Sequence, residues 1–289
     1  MPELPEVETI ARGLDKRVAG DTLESVWISS RKQPLKSPAD VIATTLEGKR
    51  IVRVHRAGKH ILFDLEGQAR REKGRLVDRG QPRPAASLPT AQWIVHLGMT
   101  GSMVVCEPVA AIAKHTHLIA RLASGRELRF IDPRMFGKLS VHLHPGGFDP
   151  GGVEPLEVSE GQFIELFRGR KTPIKSALLN QKLLRGVGNI YADESLFRAG
   201  IRPRRRAAAV TREQLGRLHS AVREVLREAI ALGGSSISDY VDVDGEEGFF
   251  QLQHRVYGRE SEPCLVCRTP IRRIVLAGRS SHYCPKCQK

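Results

Sequence analysis

The sequence predicts an α+β protein: an N-terminal helix with a β-sandwich or barrel, then a helical region, then a small cysteine-bearing hairpin. Three observations predict it. Up to about residue 150 the apolar residues fall in short, partly alternating segments separated by turn signals. Beyond that point their spacing becomes helical. From about residue 250 strand-like pieces return around four cysteines.

Residues 5–20 read as a helix, because Val7, Ile10, Leu14 and Val18 form one apolar stripe. Pro5 suits its first turn, Glu6 and Glu8 complement its N-terminal dipole, and Gly20 suits its stop. Segments 23–28, 51–56, 60–65, 93–97, 103–105, 117–122, 126–131 and 138–143 follow as β-branched or aromatic strands. Many short strands with turns between them make a sandwich or a barrel. Residues 67–91 interrupt the pattern; basic and without periodicity, they are expected to form an exposed loop. The Gly- and Pro-rich stretch at 145–152 reads as a linker. Helices are expected at 159–168, 173–184, 189–199 and 212–232. In the last, Leu215, Leu218, Val222, Val225 and Ala229 share a face, Thr211 with Gln214 makes a capping box, and Gly233-Gly234 ends it. The expected domains are therefore 1–150, 151–250 and 251–289.

The chain has 46 Lys and Arg against 32 Asp and Glu, a net charge of +14, which favours a polyanionic partner. The acidic start has no apolar core and does not read as a signal peptide. No apolar run approaches the roughly 18 residues of a membrane span. A cytoplasmic protein without a membrane partner is expected, and in that reducing compartment cysteines bind metal more readily than they pair.

Cys264-x2-Cys267 and Cys284-x2-Cys287 are two such knuckles, each able to place two thiolates on one ion. Together they predict a four-sulfur site holding one Zn2+. Four protein ligands leave no open position, so the zinc is expected to be structural. Arg268, Arg272, Arg273 and Arg279 lie between the knuckles and make a DNA-contacting finger plausible. Cys106 stands alone in a strand-like stretch and reads as a buried small hydrophobe.

Pro2 is a second candidate for chemistry. Removal of Met1 would expose a secondary amine, and an α-amino group titrates near about 7.7–8.0, so part of it is nucleophilic at neutral pH. Such an amine attacking a sugar C1′ gives an iminium, which acidifies the C2′ protons and opens an elimination route. The adjacent Glu3 carboxyl can move protons.

The opening MPELPEVETI closely resembles the bacterial formamidopyrimidine-DNA glycosylases, the 8-oxoguanine DNA glycosylases. The resemblance continues through HLGMTGSM at 96–103, DPRMFGKL at 132–139 and GVGNIYADESLFRAGIRP at 186–203. RVYGRESEPC at 255–264 and GRSSHYCPKCQK at 278–289 complete it over nearly the full chain. It implies a helix with a β-sandwich domain, then a helical domain with a helix–two-turn–helix, then a zinc-ribbon hairpin. It also implies a bifunctional glycosylase and AP lyase of base excision repair, acting as a monomer on damaged double-stranded DNA in the bacterial cytoplasm. Oxidised purines would be removed through a Schiff base on Pro2, with β,δ-elimination after it.

By the same resemblance Pro2 is the nucleophile, Glu3 the general acid, Lys59 the lysine that assists β-elimination, and Arg279 the finger arginine of δ-elimination. Met99, Arg134 and Phe136 match a wedge that fills the gap left by an extruded base, whose unstacking costs a few kcal/mol. His115, Arg134 and Arg170 match DNA contacts, and Lys175 a lysine near the damaged base. Asn189 opens a helix after Gly186-Val187-Gly188, an arrangement suited to phosphate. Residues 235–250 match a loop that closes over extruded 8-oxoguanine.

The sequence departs from the family at three points. The 67–91 loop is longer than usual, Met135 stands where a second arginine is common, and Arg170 replaces a lysine. Two rival readings have distinct signatures. The endonuclease VIII-like glycosylases of oxidised pyrimidines share Pro2-Glu3 but typically carry Gly at position 4 and lack the wedge. A non-catalytic zinc-ribbon DNA-binding protein would need none of Pro2, Glu3, Lys59 and Arg279.

Overall fold

The computed structural model describes residues 1–67, 90–143, 147–236 and 248–289. The 67–91 loop lies outside the described residues except at its ends, as do 145–146 of the linker and 237–247 of the 235–250 segment.

The chain packs into two compact units. The first holds Met1, residues 10–56 and residues 60–149; the second holds residues 2–9, 57–59 and 150–289. Helix α1 (Leu4–Val18) therefore contributes its first turns to the second unit and the remainder to the first.

In the first unit, two antiparallel four-stranded sheets form a sandwich. One has the order β1-β6-β7-β5, from β1 (Leu23–Ile28), β5 (Ser102–Cys106), β6 (Thr116–Leu122) and β7 (Glu127–Ile131). The other has the order β2-β3-β4-β8, from β2 (Lys49–Ala57), β3 (His60–Gly67), β4 (Ala91–His96) and β8 (Lys138–His142). Phe63 and Trp93, opposite one another in β3 and β4, stack with centroids 4.6 Å apart and are buried. A helix that the periodicity did not predict, α2 (Ala39–Leu46), follows Pro38. Its β-branched composition has low helix propensity; burial of Ile42 and Leu46 outweighs that. Cys106 is half-buried rather than fully buried, because it ends β5.

The second unit has a helical core of α3 (Glu160–Phe167), α4 (Ile174–Leu178), α5 (Asn189–Ala199) and α6 (Arg212–Ala231). The Thr211/Gln214 capping box on α6 is present, and Ser159 with Gln162 makes another on α3. The helix expected over 173–184 stops at Leu178. The Gln181 side chain holds the turns that follow: its Nε2 donates to the carbonyls of Leu179 and Val187, and its Oε1 accepts from Gly186 N. Short α4, these turns and α5 are the helix–two-turn–helix. The unit ends in the hairpin β9 (Arg272–Leu276) and β10 (Arg279–Tyr283). Ala277 and Gly278 between them both have positive φ, 47° and 75°, as a two-residue hairpin turn requires. Among the described residues, no helix is long and apolar enough to cross a membrane.

Candidate active site and metal centre

Glu3 sits over the start of α5. Gly188 is the N-cap of that helix and offers no side chain to its free N–H groups. The cap comes instead from 187 residues away, where Ile190 N donates to Glu3 Oε1 at 3.3 Å. Leu4 fastens the same segment, donating its N–H to the Gly186 carbonyl at 3.0 Å and burying its side chain in the helical core. The approach is so close that a Cβ on Gly188 would stand 2.0 Å from the Glu3 carboxyl carbon. Only glycine fits there.

Two opposing effects set the Glu3 proton. The N–H groups of Ile190 and Tyr191 and the nearby Lys59 cation favour the carboxylate, while burial and Glu6 disfavour it. Burial wins, and the pKa is pushed up to about 7. Glu6 beneath it accepts from Glu3 N at 2.7 Å, from Ser235 N at 2.8 Å and from the Tyr191 hydroxyl. Burial raises its pKa despite these donors.

Three cations stand around this pair. Lys59, at the β2–β3 turn, is pulled below the ordinary lysine range by burial and by Arg279, while Glu3 and Glu6 push it back up. Arg279, the first residue after the hairpin turn, is exposed, and its charge reaches Lys59, Lys175 and Tyr257. Lys175 is 1 % exposed and pairs with Asp193 at 2.7 Å. Asn189 Nδ2 lies 3.4 Å from Ser280 Oγ. Half-buried Pro2 precedes Glu3. The second unit thus holds Pro2, Glu3, Lys59, Lys175, Asn189 and Arg279, and couples most of them electrostatically. A proton-holding carboxyl among lowered-pKa amines can run acid–base and nucleophilic chemistry near pH 7.

The four cysteines of the same unit converge. Their sulfurs all lie within 4.8 Å of one another. A tetrahedral zinc with sulfurs at about 2.3 Å needs edges of about 3.8 Å, which this cluster satisfies. Cys264 and Cys284 are fully buried with Val256 and Ile271 around them, so the site is closed and structural. Arg279 is positioned by this hairpin.

The first unit carries the other group of expected residues. The turn 132–137 is tied by buried Asp132, whose oxygens accept from Thr100 Oγ1 at 2.6 Å and Gly137 N at 2.7 Å. Thr100 Oγ1 in turn accepts from Arg134 N at 3.3 Å. Backbone meets backbone here, since a Cβ on Gly98 would come within 2.5 Å of Gly137 N. The two loops so joined present Met99 and Phe136, 43 % and 46 % exposed, with the Arg134 guanidinium 4.9 Å above the Phe136 ring. By default such residues would be core; here they project. Met135 between them has φ 55°, and Arg31 Nη1 stands 3.7 Å from its sulfur. His115 is half-buried and accepts from Asp132 N through its carbonyl at 3.0 Å. Its neighbour His117 is buried against the Asp132 carbonyl. Arg170 belongs to the second unit and is exposed.

Sequence reasoning missed Glu6, Tyr191, Asp193, Glu194 and Tyr257. Each reads as an ordinary helical or turn residue, because its partner is far away in sequence. Glu194 is the clearest case: fully buried, it accepts from the N–H groups of Arg255, Val256 and Tyr257 and so fixes Tyr257.

Residues 1–139 match the formamidopyrimidine-DNA glycosylase N-terminal domain, 152–241 the H2TH domain of the same glycosylase, and 261–289 a zinc finger found in FPG and IleRS. The formamidopyrimidine-DNA glycosylase of Solibacter usitatus is 43% identical over 294 residues, covering 100% of both chains. The crystal structure of MutM (FPG) from Thermus thermophilus is 40% identical with a TM-score of 0.82, covering 99% of this chain and 98% of that one. A Lactococcus lactis FPG variant in complex with Fapy-dG-containing DNA is 31% identical with a TM-score of 0.84, covering 100% of both.

Proposed function

The chain belongs to the formamidopyrimidine-DNA glycosylase family, and from that premise we propose that its second unit forms a Schiff base between Pro2 and the damaged nucleoside. The protein is a DNA glycosylase and AP lyase of base excision repair, acting on DNA with oxidised purines. The observation that carries the catalytic reading is Glu3, a carboxyl buried next to Pro2 and capping α5, with its pKa pushed up to about 7.

With Met1 removed, the Pro2 nitrogen attacks C1′ of the damaged nucleoside. The N-glycosidic bond breaks and its electron pair leaves with the base, which takes up the proton that the Pro2 nitrogen loses. Glu3 gives its proton to O4′ as the sugar ring opens, and the C1′–N bond becomes an iminium. Loss of a C2′ proton then expels the 3′ phosphate, and a second elimination expels the 5′ phosphate. Lys59, with its lowered pKa, is suited to take a proton in the first elimination. Arg279, always charged, is suited to the departing phosphate. Asn189 and Lys175 face the same cluster, and Arg170 adds a phosphate contact. Met99, Arg134 and Phe136 fill the space of the extruded base, and His115 holds backbone near it. The cysteine site holds one zinc, which secures the fold of the finger. We take the working form to be a cytoplasmic monomer.

Borohydride trapping tests the reading. A covalent adduct is expected on a duplex with 8-oxoguanine, far more than on one with thymine glycol. A preference for thymine glycol would support the endonuclease VIII-like reading, and no adduct on either would leave only binding. Gly188→Ala should lower single-turnover excision by at least about 100-fold, since a displacement of about 1 Å costs that much. Excision at the wild-type rate would mean that Glu3 need not occupy its present place.

A further inference from the structure

Asp193 is buried completely, on α5 four residues after Asn189. Its Oδ1 lies 2.7 Å from Lys175 Nζ on α4. Its Oδ2 accepts from the backbone N–H of His282 on β10 at 2.8 Å, and His282 Nδ1 approaches the same oxygen at 3.4 Å. Lys175 Nζ also donates to the Ser280 carbonyl on β10 at 2.6 Å. One carboxylate therefore joins three elements: the two helices of the helix–two-turn–helix and the strand that begins with Arg279.

Such a group is costly to keep. A lone buried charge is costly to desolvate, and removing one partner of a buried pair is strongly destabilising. Well-packed apolar residues would hold these elements together at least as well. The pair makes sense where a cation has to be held at a defined point. Lys175 is that cation: burial and Arg279 pull its pKa down, and Asp193 and Glu3 hold it up. Lys175 is fully enclosed, so its charge depends on these neighbours rather than on solvent.

We propose that Asp193 is a positioning residue of the active site, which holds Lys175 with one oxygen and the Arg279-bearing strand with the other. The proposal rests on the glycosylase reading above. It places Asp193 beyond contact with DNA, acting only through the groups it holds. It also explains how the zinc hairpin, whose own ligands are remote from the chemistry, is registered to the helix that carries Asn189.

The test is a double-mutant cycle in the full-length, zinc-loaded protein, read as single-turnover excision of 8-oxoguanine from a duplex. Asp193→Asn is expected to retain one zinc and to slow excision by about 30-fold or more, with the affinity for an abasic-analogue duplex changed by less than about threefold. Lys175→Met is expected to show a similar loss. Asparagine keeps an oxygen that can accept from His282 N–H, so Asp193→Asn removes only the hold on Lys175, and the double variant should be no slower than Lys175→Met alone. Multiplicative losses, or an Asp193→Asn protein that excises at the wild-type rate, would overturn the proposal. Should Asp193→Asn lose zinc, the same cycle is run with Asp193→Glu, which keeps the charge and displaces it by one methylene. Wild-type protein that forms no borohydride adduct would instead overturn the glycosylase reading, and the two failures are thereby separate.

Discussion

Protein that retains Met1 is expected to bind damaged duplex normally and to form no covalent adduct with it. Its Pro2 nitrogen is then an amide, without the lone pair that attacks C1′. Adduct yield should fall below detection, the largest effect expected of any single change in this protein. Strand cleavage should be lost with it, because elimination draws on the acidity that the iminium confers on C2′. Binding to an abasic-analogue duplex should stay within about threefold, since the cationic groups are untouched. Efficient strand cleavage by the Met1-retaining protein would rule out the iminium route.

Glu3→Gln is expected to lower excision by about 100- to 10,000-fold, the usual worth of a positioned acid. The pH profile separates this from a packing defect. With a pKa of about 7, Glu3 is protonated below neutrality and ionised above it. As an acid it is active when protonated, so wild-type excision should fall about tenfold per unit well above pH 7, and Glu3→Gln should lose that limb. Stability should move in a linked way. The folded state holds the Glu3 proton more tightly than the unfolded state, whose carboxyl titrates near 4.5. Below pH 4.5 nothing is lost; between 4.5 and about 7 the unfolded state gives up its proton first, and the fold is weakened. A rise from 4.5 to about 7 corresponds to about 3 kcal/mol at most. Glu3→Gln should therefore melt higher than wild type at pH 8 and equally at pH 4.5. A wild-type profile without the alkaline limb would assign the acid to another group.

What was legible in advance follows physical lines. Strands were readable because β-branched residues alternate locally, and α6 because its stripe and its capping box are both local. The zinc site was readable because all its ligands fall within 24 residues in two short knuckles, Cys264 to Cys287. By contrast α2 was invisible, since packing of Ile42 and Leu46 rather than propensity makes it a helix. The end of α4 was misplaced because Gln181, an ordinary helix former, turns its side chain to the following loop instead.

In the active site, Pro2 and Glu3 were legible as candidates from the chemistry of a secondary amine beside a carboxyl, whereas Lys59 and Arg279 were legible only through resemblance. Pro2, Glu3, Lys59 and Arg279 have no common spacing, and Glu3 meets Ile190 across 187 residues. Gly188 looks like any helix-preceding glycine until its missing Cβ is seen to be the room Glu3 occupies. Asp193 and Glu194 are adjacent acids on one helix, yet one serves Lys175 and His282 and the other serves the turn at 255–257. No periodicity distinguishes them.

The most direct test of Pro2 as the nucleophile is to locate the trapped adduct. The cluster contains two other amines, Lys59 and Lys175, each with a pKa drawn down toward reactivity. Borohydride-reduced complex on an 8-oxoguanine duplex should be digested, and the sugar remnant mapped by tandem mass spectrometry. The remnant is expected on the nitrogen of Pro2, in a peptide that begins there. A remnant on Lys59 or Lys175 would contradict it.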